Sequence, residues 1–151
     1  MKKLLLVISG ICCIFSCKNN SVDKKENGIA YKETIEINDV PRATLTFFDF
    51  SDGLCPEDVN CIWGGYALVD LLLSSVTTEG GITEHVEMCL GTCGFVRKDS
   101  TEAPRMVGDT VLKSFAGQQY RFVLSSLTPA RKSTDILKKE DRRIMLSVEK
   151  L

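Results

Sequence analysis

Apolar and polar side chains alternate along much of the chain after Ala30, and this period of two constrains the fold more than any other feature. Such alternation is typical of β-strands that bury one face and expose the other. It is clearest in three sets of apolar residues: Tyr31, Ile35 and Ile37; Tyr120, Phe122 and Leu124; and Ile144, Leu146 and Val148. Alternation alone therefore predicts strands in at least three places.

Four further segments have the composition of strands. They are Ala43–Phe50, Tyr66–Ser74, Ile82–Leu90 and Val111–Phe115. Tyr66–Ser74 is nearly apolar on both faces, which predicts a central strand, whereas only Thr134–Glu140 has any helical character. About seven short strands separated by turns predict an all-β fold, either an antiparallel β-sandwich or a small barrel.

The start of the chain has the organisation of an export signal. Two lysines precede an apolar run, Leu4–Phe15, which is shorter than the roughly 20 residues of a membrane-spanning helix. This arrangement is typical of a secretory signal peptide. The run ends in Ile14-Phe15-Ser16-Cys17, which resembles the bacterial lipobox, so we predict cleavage before Cys17 and lipidation of that residue. The alternative is an ordinary secreted protein, cleaved near Ser16 and left with a spare thiol.

Export divides the chain into three predicted parts: a signal peptide over 1–16, a lipid anchor and flexible tether over 17–29, and a single β domain over 30–151. Removal of Lys2 and Lys3 from the 19 basic residues leaves 17 against 20 acidic residues, a net charge of −3. Because this charge offers no basic field, we expect no nucleic-acid partner. Lys18, rather than aspartate, follows the cysteine, and by resemblance to known sorting rules this favours the outer membrane.

Four cysteines besides Cys17 follow the predicted signal peptide, namely Cys55, Cys61, Cys89 and Cys93. An even number in an exported chain indicates disulfides. Three pairings are possible, and we favour Cys55–Cys61 with Cys89–Cys93 because each pair brackets a turn-rich segment. A four-cysteine zinc site is the competing interpretation, but only the second pair has the usual ligand spacing. We therefore predict two disulfides and no metal.

The segment Asp49–Gly65 contains the most specific motif. It has the pattern Cys-Pro-x-x-Val-x-Cys-x-Trp-x-Gly, formed by Cys55, Pro56, Val59, Cys61, Trp63 and Gly65. This pattern resembles a segment of many small exported bacterial lipoproteins of uncharacterised function. Leu54 stands where that group often has arginine, and Gly64 replaces the more usual alanine. The resemblance implies a fold and a location in the cell envelope, and it implies no biochemical activity.

The same segment supplies a candidate contact loop, formed by Glu57, Asp58, Asn60 and Trp63. Together with Asp49 and Asp52 it also offers several oxygen ligands, but the ligand spacing of an EF-hand is missing, and solvated acidic side chains are the simpler interpretation. Trp63 has two possible roles. It could be an exposed aromatic residue that recognises a partner, or a core residue that packs on the disulfide. We favour the core position.

Catalysis is not predicted. His85 is the only histidine, and neither a Gly-x-Ser-x-Gly elbow nor a paired-histidine metal motif is present. Asp49 and Asp52 could form a glycosidase pair, but nothing else indicates a sugar cleft, and the charged stretch Arg131–Arg143 is most simply a solvated loop. We predict a non-catalytic envelope lipoprotein without a cofactor, acting as a structural or binding module for an envelope or extracellular protein. The alternative is an inhibitor of an extracellular hydrolase that uses the Cys55–Cys61 loop.

Overall fold

Two antiparallel β-sheets form the described part of the chain. The computed structural model describes residues 21–22, 27–77, 80–95 and 108–151, so the predicted signal peptide and Cys17 lie outside the described residues. Nine strands are present in the described ranges: β1 (Ser21–Val22), β2 (Ile29–Ala30), β3 (Thr34–Asn38), β4 (Ala43–Asp52), β5 (Tyr66–Thr77), β6 (Gly80–Gly91), β7 (Asp109–Phe115), β8 (Gln118–Thr128) and β9 (Arg143–Lys150).

The two sheets face each other as a sandwich and do not close into a barrel. One sheet has the order β3-β4-β5-β6, and the other has β7-β8-β9, with β1 and β2 both paired to the free edge of β9. The predicted all-β fold is confirmed, and the barrel alternative is excluded because the two sheets remain separate. Strand β5 pairs on both sides, with β4 and β6, which confirms the central position predicted for Tyr66–Ser74.

One hydrophobic core joins the inner faces of both sheets. Its largest fully buried side chains are Tyr120, Phe47, Phe122, Ile29, Ile37, Leu45, Leu71, Leu73, Met88, Leu124, Ile144 and Val69. Complete burial of one such aliphatic or phenyl side chain stabilises the fold by about 1.5–3 kcal/mol. Ile29 lies within the predicted tether, and Ser21 and Val22 pair with β9, so the sandwich includes residues before position 30.

The segment predicted to have helical character, Thr134–Glu140, is mostly loop. A single 3-10 turn, Lys139–Asp141, overlaps its end. No helix in the described ranges is long and apolar enough to span a membrane.

The long loops gather at one end of the sandwich. The β4–β5 connection (53–65), the segment after β6 (92–95) and the β8–β9 connection (129–142) meet there, and together they are called the loop end. At the other end, called the hairpin end, the β7–β8 turn at 116–117 lies beside the last residues of β9. Strand β9 therefore runs from the loop end at Arg143 to the hairpin end at Lys150.

Candidate functional site

The two disulfides both lie at the loop end and have the predicted local pairing. Cys55 bonds to Cys61 and Cys89 bonds to Cys93, with a Cα–Cα distance of 6.0 Å in each pair. The second disulfide loop is joined to the chain that follows the first, because the backbone N and the Oγ1 of Thr92 both donate hydrogen bonds to the carbonyl oxygen of Gly65, at 2.9 and 2.5 Å. The pairing that brackets turn-rich segments is therefore the one observed.

The Cys55–Cys61 loop is held against the β8–β9 connection by hydrogen bonds. The carboxylate of Asp58 accepts hydrogen bonds from the backbone N and the Oγ of Ser133, each 2.7 Å long. The backbone N of Glu57 donates to the carbonyl oxygen of Arg131 at 3.0 Å, and the guanidinium of Arg131 donates to the carbonyl oxygen of Leu54 at 3.1 Å. The bonds from Ser133 hold the pKa of Asp58 below its ordinary value of 3.8. Asp58, predicted as a contact residue, is thus engaged within the chain.

A buried ion pair lies at the base of this loop. A register shift in β4 between Phe47 and Asp49 turns the residues after it, so that Asp52 faces the β8–β9 connection. There the guanidinium of Arg142, whose residue is 2% exposed, donates to the Asp52 carboxylate at 2.6 Å and to the carbonyl oxygen of Pro129 at 2.7 Å. The prediction of a solvated loop is therefore wrong for Arg142, which is a structural part of the loop end.

Three of the acidic residues considered as calcium ligands or as a glycosidase pair, Asp49, Asp52 and Asp58, each bind a different partner. Asp49 pairs with Lys139 at 2.6 Å, and this hydrogen bond, followed by one from the backbone N of Phe50, lowers the pKa of Asp49. Asp52 pairs with Arg142, and Asp58 accepts hydrogen bonds from Ser133. Throughout the described ranges, no group of three or more His, Cys, Asp or Glu side chains is placed to hold a metal ion. These carboxylates brace the loop end.

Three apolar side chains of the same loop face solvent. Ile62 is 94% exposed, Trp63 is 72% exposed and Val59 is 42% exposed, and these residues are called the apolar tip. The prediction that Trp63 packs as a core residue is wrong. The loop projects from the end of the sandwich and is fixed by a disulfide and hydrogen bonds, so its indole lies outside the core that the two sheets enclose.

A groove of 340 Å³ lies beside the braced loop. It is lined by Phe50, Asp52, Arg131, Asp135, Ile136, Leu137, Lys139 and Arg142. Its buried cation, Arg142, is neutralised by Asp52, and the ammonium group of Lys139 lies 5.6 Å from the ring centroid of Phe50. The groove is open to solvent, and its charges are largely balanced by contacts within the chain.

His85 lies on the exposed outer face of β6. Its Nδ1 is 2.9 Å from the Asp70 carboxylate, and its ring meets Phe48 edge to face, with 5.2 Å between ring centroids. Its register partner on β5 is Leu72, which places it midway along the edge strand β6 and not at the loop end. Asp70, which His85 contacts, is the register partner of Asp49, whereas Asp52 and Asp58 contact the β8–β9 connection at the loop end.

The Cys55–Cys61 disulfide should stabilise the fold without being needed for it. Replacing both cysteines, as Cys55→Ala with Cys61→Ala, should lower the free energy of unfolding by about 2 kcal/mol, because a seven-residue loop is released in the unfolded chain. The hydrogen bonds from Ser133 and Arg131 remain available to hold the loop. Urea unfolding followed by circular dichroism measures the loss. An unfolded double variant would contradict a stabilising but dispensable role.

Comparisons of the chain with protein-family models, with curated proteins and with solved structures gave no match. What the chain does is therefore inferred from its own residues. The loop end combines a disulfide, long-range hydrogen bonds and exposed apolar side chains, and no other part of the described chain has all three.

Proposed function

We propose that this chain is a non-catalytic lipoprotein of the bacterial cell envelope that binds a partner through its loop end. The observation that carries the proposal is the exposure of Ile62 and Trp63 on a loop that is closed by a disulfide and fixed by hydrogen bonds. Exposed apolar patches mark interaction sites, and tryptophan is enriched among the residues that contribute most to binding. A loop that is already ordered loses little conformational entropy on binding.

The anchor is proposed from the sequence. Ile14-Phe15-Ser16-Cys17 has the order of residues expected at a lipobox, and Lys18 favours sorting to the outer membrane. Lipid chains on Cys17 would hold the mature protein stably at a membrane, since each buried CH₂ contributes about 0.8 kcal/mol.

Replacing the apolar tip tests the proposed binding. We expect Ile62→Ser with Trp63→Ser to abolish recovery of a partner when the chain is purified from envelope extract in mild detergent. The fold should be unchanged, because both side chains are exposed. Val76→Ser with Leu112→Ser is the matched control, since these apolar residues are also exposed but lie on β5 and β7. A partner that survives replacement of the tip would remove the loop end as the binding site.

The braced loop also supports a second candidate, an inhibitor of an extracellular hydrolase that inserts the Cys55–Cys61 loop into an active site. The specific observation is that the loop is fixed at Cys55, Glu57 and Asp58, which leaves its tip presented in one arrangement. Purified chain should then slow a secreted peptidase or glycosidase, and the same tip replacement should remove the inhibition. Unaltered hydrolysis across a panel of both enzyme classes would reject this candidate.

A further inference from the structure

The start of the sandwich lies near the end opposite the apolar tip. Ser21 pairs with Glu149 in β9, six residues beyond Arg143 at the loop end, which corresponds to about 20 Å along the strand. Ser21 is four positions after Cys17, and a fully extended chain of four residue steps spans at most about 14 Å. This reach is shorter than the distance to Arg143, so a lipid on Cys17 cannot lie at the loop end, from which the tip projects.

The charge of the loop restricts which kinds of partner the apolar tip can bind. Residues 53–65 contain Glu57 and Asp58 and no lysine or arginine. The carboxylate of Asp58 accepts hydrogen bonds from Ser133 and interacts with the charge of Lys132, so the exposed Glu57 is the anion beside the tip that is left to face a partner. An anionic lipid surface attracts basic segments and repels acidic ones. Two copies of this loop would also bring like charges together, and like charges in contact are costly.

We infer that the apolar tip docks into an apolar pocket with a basic rim on a different protein, which lies on the side of the domain away from the anchoring membrane. Ile62 and Trp63 fill the pocket, and Glu57 faces a lysine or arginine on its rim. In many interfaces the apolar side chains are buried at the centre, and the charged side chains at the rim steer the partner during association. The orientation rests on the proposed lipid anchor, whereas the pocket chemistry rests on the tip itself.

A photoreactive amino acid at Ile62 tests this inference in the full-length chain in its native membrane. Val76 is the matched control, because it is also apolar and exposed (72%, as for Trp63) and pairs with Gly81 on β6, far along β5 from the loop end. We expect one discrete protein adduct from position 62 and none from position 76. The partner peptide, mapped by mass spectrometry, should contain apolar residues together with lysine or arginine.

Two further substitutions test whether formation of the adduct depends on the proposed apolar and charged contacts. Trp63→Ala should reduce its yield about 30-fold, the effect of losing a binding residue worth about 2 kcal/mol. Glu57→Lys should reduce it about 10-fold and reverse its dependence on salt, because the rim then repels the loop. An adduct that is insensitive to both changes overturns the inference.

Four other results of the crosslinking experiment would overturn the inference. They are a lipid adduct, an adduct joining two copies of this chain, equal adducts from positions 62 and 76, and no protein adduct from position 62 after complete photolysis. Failure of the proposed lipoprotein is recognised separately, because a chain without acyl groups would leave the membrane fraction and yet could still give the adduct from position 62.

Discussion

Replacing Arg142 with methionine should lower the free energy of unfolding by about 3–5 kcal/mol, the cost of leaving a buried charge without its partner. The guanidinium is almost fully buried, and it neutralises Asp52, whose side chain is 13% exposed. It also donates a hydrogen bond to the carbonyl oxygen of Pro129, so the variant leaves two acceptors unsatisfied. Urea unfolding followed by circular dichroism measures the change. Fluorescence is a poor probe of unfolding here, since Trp63 is already exposed to solvent in the folded chain.

Arg121→Met is the matched control for this measurement. Arg121 also makes an ion pair, with Glu149 at 2.9 Å, but both side chains of this pair are well exposed. Ion pairs at the surface contribute about 0–1 kcal/mol, because water screens both charges. If the Arg142 and Arg121 variants lose similar stability, the buried pair does not hold the loop end together.

The positions of strands and their buried faces could be predicted because both follow from the order of apolar and polar residues within a single short segment. A strand with one face in a core must alternate, so Tyr120, Phe122 and Leu124 identify both the strand and its inner side. The same holds for the nearly apolar Tyr66–Ser74, which has a pairing partner on each edge. The local disulfide pairing also followed from the turns that each cysteine pair brackets.

The loop end could not be predicted in the same way, because its contacts join residues far apart in the chain. The Asp52–Arg142 pair spans 90 positions and the Asp58–Ser133 hydrogen bonds span 75, and no local pattern indicates either of them. Trp63 was expected in the core because tryptophan beside a disulfide commonly packs on the sulfur atoms. Whether such a loop projects from the sandwich depends on how the β8–β9 connection meets it. Large apolar residues such as Ile62 and Trp63 favour burial, so their type alone does not indicate that they face solvent.

Loss of the acyl chains should have the largest effect on where the protein resides. We expect Cys17→Ser to release the chain from the membrane fraction and to leave it without acyl groups. Two or more acyl chains are enough for stable anchoring, and the mature chain has no other proposed anchor. Cys13→Ser is the matched control, because Cys13 lacks the lipobox residues before it, and this variant should fractionate as the wild type does.

The intact mass of the mature protein tests the proposed envelope lipoprotein most directly. The protein should begin at Cys17, contain the 135 residues that remain after removal of 1–16, and carry the added mass of at least two acyl chains together with two disulfides. The acyl mass should map to the N-terminal peptide and disappear in the Cys17→Ser variant. A mature chain that has no acyl groups, while Cys17→Ser fractionates with membranes as the wild type does, would contradict the lipoprotein assignment.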